Sequence, residues 1–273
     1  MLRPLLAAAF LAFALPAAAQ STARVEPLYE ALGLPALLEI MHEEGVGYGA
    51  DLEQDLFPGR GRAAWAAAVE AIYDTGRMEG MILERLEAEL GDSEIPAILD
   101  YFATESGQQV VALEIAARRA LLDEDVEAAA RDGWLSLEAD GGRRWDLLVE
   151  FAEVNDLVES NVAGAMTANY AFYRGLADGG AFGVDMPEDQ ILSDVWGQEQ
   201  TIREDTVDWV FSFTSLAYQP LSDAEFRAYV DFAATDAGQA LNAALFSAFN
   251  SMFAAISRDL GFGAARFLSG QDI

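Results

Sequence analysis

The chain is predicted to be all-α, with two related helical-bundle units from an internal duplication packed together. Three features predict this. Apolar residues recur every three or four positions, the period of a helix face, while alternating β-branched runs are nearly absent. Turn and capping residues fall where those periodic runs stop. A 19-residue phrase is written twice, 131 positions apart.

The elements follow in order. Trp65, Val69 and Ile72 occupy one helix face, and Met78, Ile82, Leu86 and Leu90 continue as a four-step stripe. Ile202, Trp209, Phe213 and Leu216 trace a later face, and Leu241, Leu245, Ala248, Met252 and Ile256 another. Each stripe is read as the core side of an amphipathic helix. "FPGRGR" (57–62) ends one helix, and "EADGGRRW" (138–145) reads as a loop around an Asp-Gly-Gly turn. The longest loop is expected over 176–189, with Asp185 capping a helix whose first turn carries Pro187, Glu188 and Asp189. Ser222 and Glu225 have the spacing of a capping box.

The duplication rests on "LGDSEIPAILDYFATESGQ" from Leu90 and "LSDAEFRAYVDFAATDAGQ" from Leu221, which agree at nine of 19 positions without a gap. Each copy reads as helix, corner, helix. Thr104 and Thr235 stand where the second helix begins, and a threonine hydroxyl there accepts from an amide two or three residues on. Glu105 and Asp236 follow in the first turn, where negative charge suits the helix dipole. Gly107 and Gly238 each cost about 1 kcal/mol relative to alanine in a helix, so their repetition implies a second backbone packed close by. Gln108 and Gln239 can reach a free carbonyl at the end of the preceding helix. Thr104, Gly107, Gln108, Thr235, Gly238 and Gln239 are therefore read as a structural corner motif. The units are placed at 20–140 and 141–273, with the boundary near Glu138 to Arg144.

Residues 1–19, "MLRPLLAAAFLAFALPAAA", have the layout of a cleavable signal peptide: Arg3, an apolar run from Leu5 to Leu15, the breaker Pro16, then small residues. The run is too short to cross a bilayer, which takes about 20 apolar residues. Cleavage is expected after Ala19, placing the mature chain in the periplasm or outside the cell. No later stretch is expected to approach membrane-spanning length without charges.

Composition excludes several chemistries. There are no cysteines, so disulfides, zinc-thiolate sites and cysteine nucleophiles are absent. The net charge is -30, from 46 acids against 16 basic residues, every one of them arginine. Such a chain is repelled by nucleic acid and by anionic lipid surfaces. The acids are scattered, which marks a solvated surface.

The repeated phrase resembles the signature of a bacterial exported helical family, domain of unknown function 2059 (DUF2059). Members are similar to this chain in having a signal peptide and helices ending in an aromatic-x-x-Ser/Thr-x-x-Gly-Gln corner. Tyr101, Thr104, Gly107 and Gln108 fit that pattern, as do Phe232, Thr235, Gly238 and Gln239. Both copies place an acid, Glu105 or Asp236, where the family often has proline. The resemblance implies an all-α fold and brings no known activity, catalytic residue or cofactor.

Residue-level chemistry points the same way. The one histidine, His42, follows Glu39 at E-x-x-H spacing, but a di-iron bundle needs two such motifs and a zincin two histidines. A calcium loop counted from Asp123 would put Ala128 and Trp134 where Gly and Glu belong, so Asp123 is read as a helix cap. No metal, cofactor or catalytic residue is assigned. The leading expectation is a non-catalytic binding or structural protein of the cell envelope. The alternatives are a cell-wall-glycan hydrolase or lyase using a lone carboxylate, for which Glu105-Ser106 is the candidate pair, and a carrier of small apolar ligands with a pocket between the units. The apolar helix over 240–268 is expected to meet the core, an envelope protein or a second copy of the chain, with the first copy of the repeat facing solvent.

Overall fold

The computed structural model describes residues 22–182 and 186–268. Among them every regular element is a helix. After a 3-10 turn at Thr22–Arg24 come α1 (Glu26–Ala31), α2 (Leu34–Leu56), α3 (Arg62–Ile72), α4 (Thr75–Glu89), α5 (Glu94–Phe102), α6 (Glu105–Ala120) and α7 (Glu124–Asp140). Then follow α8 (Arg143–Val154), α9 (Leu157–Asp178), α10 (Glu188–Trp196), α11 (Glu199–Tyr218), α12 (Asp223–Ala233) and α13 (Asp236–Leu268). The 1–19 segment and Asp185 lie outside the described residues.

Local chemistry sets most boundaries. Asp74 starts α4 by accepting from the Arg77 amide, and Asp123 starts α7 by accepting from the amides of Asp125 and Val126. Ser222 and Glu225 form the reciprocal capping box at the head of α12. Two expected loops are shorter than their composition suggests. The turn expected over 138–145 contracts to Gly141 and Gly142, whose φ values of 64° and 94° reverse the chain in two residues. The loop expected from Leu176 begins only after Asp178, and Pro187 stands at the N-cap of α10.

Two cores form, and neither is confined to one side of that turn. The first joins buried residues of α1 to α5 with Leu241, Met252, Ile256 and Leu260 of α13. The second joins Val110 and Ala117 of α6 and Trp134 of α7 with α8, α11 and α12. The helix after each corner thus crosses into the opposite core. The order of contacts recurs in both halves: α1 packs on α2 and α5 as α8 packs on α9 and α12, and α2 packs on α3 and α4 as α9 packs on α10 and α11. The 33-residue α13 corresponds in register to α6 and α7 together, which Asp123 splits.

One pairing has no counterpart of similar extent. Helices α9 and α13 lie backbone to backbone along much of their length, while α2 touches α6 only briefly. A Cβ on Gly175 would stand 2.1 Å from the Arg258 carbonyl oxygen, and one on Gly261 2.1 Å from that of Phe172. Only glycine permits so close a crossing.

Helix α13 corrects one expectation. Residues 237–257 carry no charge, and among the described residues α13 is the helix long and apolar enough to cross a membrane by length and composition. Its buried stripe, Leu241, Ala244, Ala248, Met252, Ile256 and Leu260, runs through the first core instead. Burying each larger side chain of that stripe contributes about 1.5–3 kcal/mol. The stripe expected on α11 is also corrected. Ile202, Phe213 and Leu216 are only partly buried and Trp209 is 39% exposed; the helix buries Val210, Phe211, Thr214, Ala217 and Tyr218 instead.

Candidate functional site

The two corners have matching geometry. Thr104 takes extended dihedrals, and its hydroxyl accepts from the Gly107 amide at 3.1 Å and donates to the Tyr101 carbonyl at 2.6 Å. The Thr235 hydroxyl accepts from Gly238 at 3.1 Å and donates to Phe232 at 2.7 Å. A Cβ on Gly107 would meet the Tyr101 carbonyl oxygen at 2.4 Å, and one on Gly238 that of Phe232 at 2.3 Å. The close backbone is the preceding helix itself. The glutamines differ: Gln108 donates to Ala103 at 3.4 Å, whereas Gln239 donates to Ala233 at 2.8 Å and also to Val154 of α8 at 2.9 Å. The corners meet directly, with the Tyr101 and Phe232 rings stacked.

Beside that stack the helices part. A cavity of about 650 Å³ opens between α6, α9, α11 and α13, reaching Leu37 and Met41 of α2. Four lining positions of α6 are matched by lining positions of α13 at one sequence offset: Val111 and Asn242, Glu114 and Leu245, Ile115 and Phe246, Arg118 and Phe249. Every pair is separated by the 131 positions that separate the repeated phrases. A vestibule of about 330 Å³ between α9 and α11 shares Asn161, Asn169 and Trp209 with the cavity and adds Asp205.

The walls are mostly apolar, and two charged residues line them. Arg118 is held by Glu44 at 2.5 Å and lies over the Trp209 ring at 5.1 Å. Among the described residues Glu114 has no cationic partner. Its Oε1 accepts from the phenols of Tyr218 at 2.6 Å and Tyr229 at 3.1 Å. Glu114 is only partly exposed and lines the cavity. Burial raises its pKa above the ordinary carboxylate value, and the two phenol bonds partly oppose the rise. Burial, together with the adjacent Glu114 carboxylate, pushes both tyrosines well above the ordinary phenol value.

The comparisons with known proteins settle one point. Residues 76–132 match the family model DUF2059, an uncharacterized protein conserved in bacteria. That span includes the first corner, with Thr104, Gly107 and Gln108, and Glu114 of the cavity; it does not reach the second corner. No curated protein and no solved structure matches the chain.

The candidate ligand and catalytic residues weighed from the sequence, Glu39, His42 and Glu105, are not in the cavity lining. His42 Nδ1 is 2.9 Å from the Tyr73 carbonyl oxygen and Nε2 is 3.3 Å from Glu70, while Glu39 is exposed. Glu105 is exposed in the first turn of α6. Among the described residues no cluster of three His, Asp or Glu side chains is arranged to hold a metal. Reading the sequence missed Glu114. Its signal was an acid at the step between Val110 and Ala117 on a face that buries both neighbours. Tyr218 and Tyr229 carried no signal, because their partner lies more than 100 positions earlier.

Proposed function

We propose that the chain is an exported, non-catalytic binding protein that carries a small apolar ligand in the cavity between α6 and α13. The observation that carries this reading is a largely apolar, accessible hollow of about 650 Å³ at the join between the two cores. Ligand cavities are of that size and combine apolar walls with a few placed polar groups. The signal-like segment at 1–19 supports delivery to the periplasm. The equal 131-residue spacing of corners and cavity faces supports two duplicated units, 20–140 and 141–273, that exchange the helix after each corner. The exposed Phe253 and Phe262 of α13 are where an envelope partner or a second copy would sit.

Titration of the mature protein with the neutral fluorophore N-phenyl-1-naphthylamine tests the reading. Saturable uptake of one equivalent, with blue-shifted emission, is expected. Emission that does not saturate would contradict it.

A second reading has one observation in its favour: a carboxyl with a raised pKa in an accessible cavity is a candidate general acid, and this moves the lone-carboxylate proposal from Glu105 to Glu114. Clearing of a peptidoglycan suspension, abolished by Glu114→Gln, would establish it. Absence of clearing would remove it.

A further inference from the structure

We infer that the cavity takes an amphiphile with a single ammonium head group, which pairs with Glu114 while its apolar tail lies along the wall formed by Leu245, Phe246 and Phe249. This deepens the carrier reading and rests on it. Four observations select the head group. Among the described residues Glu114 is the one lining carboxylate, and the charge of Arg118, the one lining cation, is offset by Glu44, although its buried Nε has no protein partner. The Glu114 Oε1 receives both phenols, and among the described residues no group donates to Oε2. A carboxylate accepts hydrogen bonds and donates none, so the group that completes it must be a donor, and a positively charged donor also compensates the charge. Leu245 stands 131 positions after Glu114, the offset of the repeated phrases, and α13 also lines the hollow with Phe246, Phe249 and Phe253, so an apolar surface is available beside the carboxylate.

The long-range field agrees. A chain with net charge -30 repels anionic amphiphiles and draws cations toward it. The vestibule carries Asp205, Asn161 and Asn169 and no basic side chain. Trp209 lines both vestibule and cavity, and an aromatic face attracts an ammonium group in passage.

Three probes of one chain length separate the possibilities: dodecylamine, dodecan-1-ol and dodecanoate, each titrated below its micellar concentration by calorimetry. Dodecylamine is expected to bind as one equivalent, at least about tenfold tighter than the alcohol, the margin of one charge-assisted hydrogen bond. Glu114→Gln should bring the amine down to the affinity of the alcohol, and Glu114→Asp should keep the preference. The wild-type comparison needs no variant. Equal binding of amine and alcohol, or tightest binding of dodecanoate, would overturn the head-group assignment and leave the cavity reading standing. Uptake of many equivalents of amine, unaffected by Glu114→Gln, would mean adsorption to the acidic surface and overturn it as well. Failure of all three probes to bind would overturn both readings.

Discussion

Tyr101 and Phe232 lie face to face, with centroids 3.7 Å apart and planes within 5° of parallel. They hold the same position in the two repeated phrases, three residues before Thr104 and Thr235. The aromatic of each corner is thus the surface on which the other corner rests. Phe102 meets Phe232 edge-on at 5.6 Å, and Tyr229 stacks near Tyr101 at 6.1 Å, so the contact extends toward the Glu114 cluster.

Truncating either ring should therefore weaken both corners. Tyr101→Ala and Phe232→Ala are each expected to cost about 2–3 kcal/mol, the lower range for half-buried aromatics. The double variant should cost less than the sum by about 1 kcal/mol, the coupling of a stacked pair. Urea unfolding of the four proteins measures this. Strict additivity would mean that the rings do not support each other.

The corner glycines and a solvent-side glycine should respond with opposite sign. Gly107→Ala and Gly238→Ala drive a Cβ into the preceding helix backbone, with an expected loss of about 1–3 kcal/mol each. Gly133 lies in α7 with no heavy atom near the place of a Cβ, so Gly133→Ala should gain up to about 1 kcal/mol from helix propensity. Thermal melts of the three variants decide it.

Much of this was legible in the sequence because it is local. Helix periodicity, the capping residues Asp123 and Ser222, and the repeated Thr and Gly of the corners depend on neighbours a few positions away. That α6 packs in the second core and α13 in the first was not legible, since it depends on contacts with helices far away in the sequence. The face of α11 misled for a related reason. Trp209 and Phe213 have core-like spacing, but they face a hollow that α6 and α13 leave between them. Glu114 was passed over because a single acid on a long helix is ordinarily solvated, and its tyrosine partners come from the other end of the chain.

Glu114 should impose a pH dependence on stability. Its folded pKa is raised above the unfolded value, so the folded state holds the proton more tightly. Its contribution is then fully present below the unfolded pKa of about 4.3 and is lost as pH rises through the folded value. The stability of wild type relative to Glu114→Gln should fall as pH increases over that window. Urea denaturation of both proteins from about pH 4 to pH 8 measures it, and a difference independent of pH would show that the carboxyl is ordinarily solvated.

Filling the hollow should remove binding without unfolding the chain. Ala168 of α9 lines the cavity and is only partly buried, so Ala168→Trp projects into empty space rather than into a core. Its melting temperature should stay within a few degrees of wild type. The affinity for N-phenyl-1-naphthylamine should drop by about tenfold or more. An unchanged affinity would place the fluorophore elsewhere on the surface.

The measurement that bears most directly on cavity binding is methyl NMR of the mature protein titrated with one equivalent of a neutral apolar ligand. Leu37, Val111, Ile115, Val210 and Leu245 line the cavity, and their resonances should shift. Ile82, Leu86 and Leu147, buried away from the cavity lining, should not. Shifts confined instead to the exposed Leu135 and Leu192, or no shifts at all, would contradict a ligand held between α6 and α13.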